Sequence, residues 1–220
     1  MARDMYGAMT GPAAWMMTST WDGPHVALLW AMWSVMMAGM MLPSAAPMLL
    51  LYGGFERRKG GRASRTYILG SGYVLVWLLF SVGATFIQLL LRRAWLLTPM
   101  MQLGSPIATA AILLIAGLYQ LTGAKTACLQ VCRSPLAVLT SHWHSGAIGA
   151  LGMGLEQGVY CLGCCWALML LLFVGGVMNL AVIAALTVLV LAEKVAPAGL
   201  HVRVVTGVVL IGLGIWRLAE

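Results

Sequence analysis

Charged side chains are scarce in this sequence: they make up 9% of its 220 residues, and only six of them are acidic. A soluble domain usually has about a quarter of its residues charged, so an ordinary soluble domain is excluded. The shortage of carboxylates also argues against a site for calcium, magnesium or manganese, which prefer oxygen ligands. Hydrophobic residues instead make up 61% of the chain, and its mean hydropathy is +0.93. This composition predicts an all-α fold, a polytopic bundle of membrane helices.

Long uncharged stretches divide the chain. A membrane helix needs about 20 apolar residues, and on that basis we expect about six transmembrane helices in a single domain over residues 26–220. Residues 1–25 lack the basic start and apolar core of a cleavable signal, and we expect them to form a leader segment on the outer side. The lipid bilayer is therefore the first expected partner.

The basic residues are distributed unevenly between the predicted loops, which indicates sidedness. Because they concentrate at helix ends, they predict membrane orientation and not nucleic-acid binding. With the amino terminus outside, nine lie inside and four outside. The nine are Arg57, Arg58, Lys59, Arg62, Arg65, Lys125, Arg133, Lys194 and Arg203, and the four are Arg3, Arg92, Arg93 and Arg217.

Three of the five cysteines are grouped in the segment Gly158–Val–Tyr–Cys–Leu–Gly–Cys–Cys–Trp166. On a helix, Cys161, Cys164 and Cys165 share an arc about 100° wide, because residues three and four apart lie on one face. The same arc contains Gln157. Thiolates select soft metal ions, whereas cysteine as a small apolar residue also packs well between membrane helices. Spacing alone leaves both interpretations open.

The first predicted span carries a methionine stripe, in the sequence Met32–Trp–Ser–Val–Met–Met–Ala–Gly–Met–Met–Leu–Pro43. Met36 and Met40 form one pair four residues apart, and Met37 and Met41 form another, so each member lies one turn above its partner. Thioethers bind soft ions, although methionine is also a flexible core filler. The four methionines are candidate metal ligands.

A second cysteine pair, Cys128 and Cys132, lies in the segment 123–145, which we expect to be a cytoplasmic loop. If this pair is one helical turn apart, it can chelate one metal ion. His142 and His144 follow, but in an extended chain they point to opposite sides, so we expect them to be interfacial histidines. With the loop and the start of the fourth span on one membrane face, all five cysteines gather in one place.

The apolar stretch from Gly146 to Asn179 would form a straight helix of about 50 Å, longer than a bilayer core of about 30 Å. We therefore expect a break at the cluster of Gly152, Gly154 and Gly158.

The segments MWSVMMAGMMLPSAAPMLLLY, CLQVCRSP and GLEQGVYCLGCCWALM resemble a bacterial family of predicted metal-binding integral membrane proteins, catalogued as a domain of unknown function. The resemblance extends over nearly the whole chain from about residue 30. It implies metal binding and a multi-pass location in the bacterial inner membrane, with no established reaction.

These patterns favour a membrane protein that binds a soft metal ion, first Cu(I), with Zn(II) as the runner-up, for transport or delivery to a partner membrane or chaperone protein. One alternative is an enzyme, a membrane thiol–disulfide oxidoreductase using Cys161/Cys164 and Cys128/Cys132. A reducing cytoplasm does not preserve such disulfides, which counts against it. A structural subunit of a membrane complex is the remaining alternative.

Overall fold

The computed structural model describes residues 23–98, 101–141, 146–196 and 199–219. Within these ranges the chain is helical and has no strand, apart from an isolated bridge between Leu97 and Leu103. The eight helices of the described part are α1 (Gly23–Arg58), α2 (Ser64–Arg93), α3 (Pro106–Leu121), α4 (Gly123–Arg133), α5 (Pro135–Ser141), α6 (Gly146–Gly175), α7 (Leu180–Val195) and α8 (Gly199–Ala219). The predicted all-α class is confirmed.

Four helices, α1, α2, α6 and α8, are long and apolar enough to cross a membrane, and the bent pair of α3 and α4 makes five if it counts as one span. Helix α7 has 16 residues, fewer than the roughly 20 that a span needs. The structure therefore supports four or five of the six expected spans. Residues 1–22 of the predicted leader lie outside the described residues.

Helix α6 is the central element of the bundle. More than half of its most apolar stretch is buried inside the protein, against a third or less in the other long helices. It packs most extensively against α2, and also against α3, α4 and α7. Any side chain on its inward faces is therefore held by several neighbouring helices.

The predicted break in the 146–179 segment is wrong, because α6 runs unbroken from Gly146 to Gly175. Its glycines allow close packing against α2. A Cβ atom at Gly154 would collide with the carbonyl oxygen of Leu69, and one at Gly158 would lie 2.8 Å from a methyl group of Val76. Glycine is used here because small residues let two helix backbones approach each other.

The predicted loop at 123–145 is also wrong for most of its length, since α4 and α5 occupy it. Thr122, in an extended conformation, ends α3 and caps α4 by accepting a hydrogen bond from the backbone of Lys125 at 3.3 Å. The chain bends by 64° at this point. The bend directs α4 against α6 and so determines where Cys128 and Cys132 lie.

Candidate metal centre

The three cysteines of α6 form a compact buried group. Cys161, Cys164 and Cys165 are each about 1% exposed. The sulfurs of Cys164 and Cys165 are 3.2 Å apart, and the Cys164 thiol donates to the carbonyl oxygen of Cys161 at 3.1 Å. The helical periodicity of the sequence is enough to produce this grouping.

Helix α4 adds a fourth sulfur from a separate element. Cys132 lies in its last turn, and its sulfur is 4.0 Å from that of Cys164. Two sulfurs each about 2.3 Å from one metal ion are about 3.8 to 4.0 Å apart at tetrahedral or trigonal angles, so this spacing suits a shared ion. We call Cys132, Cys161, Cys164 and Cys165 the cysteine cluster. Cys128 lies at its edge, where a Cβ atom at Gly163 would be 3.0 Å from its sulfur.

The cysteines of the cysteine cluster form no disulfide within the described residues. Among the residues that the structure describes, no three His, Cys, Asp or Glu side chains are arranged to hold a metal ion as they stand. The donor set is nevertheless soft and suits Cu(I) or Zn(II). Binding a metal ion would require the thiol rotamers to change, or a further ligand to be supplied.

Lys194 contacts the cysteine cluster, although its position in the sequence did not indicate a site residue. Its ammonium group donates to the sulfur of Cys161 at 2.8 Å and to the hydroxyl of Ser44 at 3.1 Å. The Tyr73 hydroxyl lies 2.9 Å from the same sulfur and 3.1 Å from the carbonyl oxygen of Met41. Helix α7 is short and ends at Val195, which brings Lys194 level with Cys161 near the middle of α6.

The adjacent residue, Glu193, belongs to a different contact. Its carboxylate accepts from Lys125 at 2.7 Å and from Gln120 at 2.7 Å. Both charged side chains are almost completely buried. Because Glu193 pairs with Lys125 of α4, it does not pair with Lys194, and Lys194 contacts the sulfur of Cys161.

The methionine stripe is divided between two environments. Met37 and Met41 are fully buried, Met40 is 3% exposed and Met36 is partly buried. The buried methionines belong to the same continuous core as Cys161, Cys164 and Cys165. The partly open side faces a groove of about 830 Å³ between α1 and the region where α7 begins. Four methionines line it: Met32, Met36, Met40 and Met178.

His142 and His144 lie outside the described residues. All nine predicted ligand residues are described, and five of them, three cysteines and two methionines, are at most 1% exposed.

Comparison with known proteins places this geometry in context. A family model named PpoB2 and described as a copper chaperone matches residues 30–217. This range contains the cysteine cluster, Lys194 and the methionine stripe. No curated protein and no solved structure matches the chain.

Proposed function

This chain belongs to the copper chaperone family PpoB2, and we propose that it is an integral membrane protein that binds Cu(I) at the cysteine cluster and delivers it to a partner protein. Membership supports copper handling. The apolar helices α1, α2, α6 and α8 support a membrane location, which we assign to the bacterial inner membrane. The specific ligands and the oxidation state of copper are our inference from the donor set.

The observation that carries the proposal is the approach of Cys132 to Cys164. These sulfurs come from separate helices, 32 residues apart in sequence, and are 4.0 Å from each other. Thiolates favour Cu(I) among the biological metals and also bind zinc. Zn(II) in a four-sulfur site is the alternative metal, and the family membership favours copper.

Lys194 suits a site that must take up and release a cation. In the copper-free protein its ammonium group lies where it balances the negative charge of a Cys161 thiolate. Binding of Cu(I) by Cys161 and Cys164 would release the remaining thiol proton, and the resulting bis-thiolate complex would carry one negative charge. The ammonium group of Lys194 would balance that charge as well, so the buried site is neutral in both states and avoids the cost of an unpaired buried charge.

Met36, Met37, Met40 and Met41 provide thioether donors that we assign to the route towards the cysteine cluster. Thioethers hold Cu(I) without adding charge, which suits an apolar helix. Met41 is connected to Cys161 through Tyr73, which contacts both residues. The groove with Met32 and Met178 is the open side of this route.

The first test measures Cu(I) bound by the purified full-length chain in detergent, without oxygen, by competition with a chromophoric Cu(I) chelator. We expect the Cys161→Ser/Cys164→Ser double variant to lose the tightly bound copper. Cys128→Ser is the control, because Cys128 lies at the edge of the cluster, and it should retain most of the bound copper. Unchanged stoichiometry in the double variant would refute the assigned site, and preferential zinc binding would reassign the metal.

The methionine route has its own test in vesicles. Met36→Leu/Met40→Leu should slow copper loading about tenfold or more without changing the final stoichiometry. Met153→Leu is the control, since Met153 is about as buried as Met40 but packs in a second, separate core cluster. Equal loading rates in both variants would remove the methionines from the route and leave the cysteine cluster intact.

A further inference from the structure

A polar cavity opens beside the cysteine cluster. It has a volume of about 190 Å³ and lies between the carboxyl-terminal ends of α4 and α7, the middle of α1 and the first half of α6. Its lining residues are Ser44, Pro47, Met48, Cys132, Arg133, Gln157, Lys194 and Val195. The volume admits a small molecule and no folded partner.

The cavity walls are positively charged. Lys194 and Arg133 both line it, and none of its described lining residues is a carboxylate. Arg133 donates to the carbonyl oxygens of Glu193 at 2.9 Å and Ala196 at 2.8 Å. These contacts hold the guanidinium group of Arg133 at the cavity wall. A ligand that fits these walls carries a negative group, since cations in a partly dry site attract anions strongly.

Gln157 supplies an independent sign of a ligand. The residue is 5% exposed and lines the cavity. Its side-chain oxygen is buried and has no hydrogen-bond partner within the described part of the chain. A buried acceptor without a donor costs free energy, so the ligand that suits this wall also carries a hydrogen-bond donor.

The remaining wall is formed by two sulfur-containing side chains, those of Cys132 and Met48. Cys132 joins the cavity to the cysteine cluster, because its thiol lines the former and lies 4.0 Å from Cys164 in the latter. Met48 adds a buried thioether. Any thiol bound in the cavity would therefore lie beside a copper ion held by Cys132.

We propose that this cavity binds a small amino thiol of about the size of cysteine, with its carboxylate at Lys194 and Arg133, its ammonium group at Gln157 and its sulfur towards Cys132. The role of the bound amino thiol, which is to supply an exchangeable sulfur ligand to Cu(I), rests on the proposed function. The described side chains do not form a complete metal site by themselves, and an external thiolate completes the coordination. Binding forms no covalent bond to the protein.

The test is calorimetric titration of the copper-free, full-length protein in detergent, without oxygen, with L-cysteine as the probe. Three analogues each lack one recognised group: L-serine lacks the thiol, cysteamine lacks the carboxylate and 3-mercaptopropionate lacks the ammonium group. We expect each analogue to bind at least about tenfold more weakly than L-cysteine. S-Methylcysteine, which blocks the thiol, should also bind more weakly, and equal binding would overturn the assignment to a thiol.

Two variants locate the site. Gln157→Leu and Arg133→Gln should each weaken L-cysteine binding about tenfold or more. Arg203→Gln is the control: Arg203 also donates to a backbone carbonyl, that of Thr122 at 3.1 Å, but it is not part of the cavity lining, so binding should not change. Undetectable L-cysteine binding by a protein that still binds Cu(I) overturns this inference alone. Loss of Cu(I) binding with L-cysteine binding retained overturns the proposed function instead.

Discussion

At the scale of single residues, the most consequential feature is that two neighbours in sequence, Glu193 and Lys194, contact different partners. Glu193 and Lys194 are adjacent in α7, yet Glu193 pairs with Lys125 and Lys194 contacts the sulfur of Cys161. Successive residues on a helix point about 100° apart, so adjacent charges reach different partners. Lys125 and Lys194 are therefore buried in the protein, whereas the sequence predicts both as exposed charges on the cytoplasmic side.

The buried pair of Lys125 and Glu193 gives a stability prediction. Lys125→Met leaves the Glu193 carboxylate buried with Gln120 as its remaining described partner, and loss of one member of a buried ion pair costs about 3–5 kcal/mol. We expect that loss in the free energy of unfolding, measured by titration with a denaturing detergent. Adding Glu193→Met should restore most of it, and Arg62→Gln, at an exposed position, should change it little. A double variant no more stable than Lys125→Met would contradict this explanation.

The grouping of the three thiols of α6 can be predicted from the sequence, whereas the nearby ammonium group of Lys194 cannot, and the reason is physical. Cys161, Cys164 and Cys165 follow helical spacing, so local geometry alone predicts that they share a face. The contact between Lys194 and Cys161 joins residues that are 33 positions apart, and it depends on where α7 ends. A lysine at the end of an apolar helix fits an interfacial charge equally well. Only the packing of α7 on α6 distinguishes the two roles.

At the scale of whole elements, the glycines of α6 decide how the site is held. Gly154 lies against the backbone of α2, and Gly72 of α2 lies against the backbone of α6 near Leu151. The two helices thus contact each other through small residues from both sides, as membrane helices do. From the sequence alone these glycines favour a helix break, because their partners on α2 are about 80 positions away in the chain.

A matched pair of substitutions tests this role. Gly154→Ala should destabilise the protein by about 1–3 kcal/mol or more, because the added methyl group overpacks a contact with backbone atoms that cannot move aside. Gly152→Ala should be neutral or stabilising by up to about 1 kcal/mol, since alanine favours a helix and a Cβ atom there meets nothing within 4 Å. Thermal unfolding in detergent provides the comparison. Equal changes in stability for the two variants would mean that the close approach of α2 and α6 at Gly154 does not stabilise the protein.

At the scale of the whole molecule, the bundle has two distinct ends. Towards one end, Arg133 donates to the carbonyl oxygens at the end of α7, which lies level with the middle of α6. Further along α1 in the same direction, Val138 and Leu139 of α5 share a buried cluster with Tyr52. At the other end, the backbone of Leu103 donates to Phe173 at 2.9 Å. The basic residues counted as inside, which fall at 57–65, 125–133 and 194–203, therefore lie towards the same end.

The final prediction concerns which end faces the cytoplasm. Apart from the buried Lys125 and Lys194, the first end keeps seven basic residues: Arg57, Arg58, Lys59, Arg62, Arg65, Arg133 and Arg203. The opposite end has Arg92, Arg93 and Arg217. Positive residues are retained on the cytoplasmic side during insertion, so the difference predicts that the first end is cytoplasmic even without the two buried lysines.

Labelling of single cysteines with a membrane-impermeant maleimide tests this orientation in a cysteine-free background. Trp95→Cys, at a position where the native side chain is 94% exposed, should react in intact cells. Arg62→Cys, in the exposed turn between α1 and α2, should react only after permeabilisation, and both must react then if the sites are accessible. Labelling of position 62 in intact cells would mean that the bundle has the opposite orientation in the membrane. The segment that carries Cys128 and Cys132 would then be on the oxidising side, where disulfides persist, and the thiol–disulfide oxidoreductase would become the stronger hypothesis.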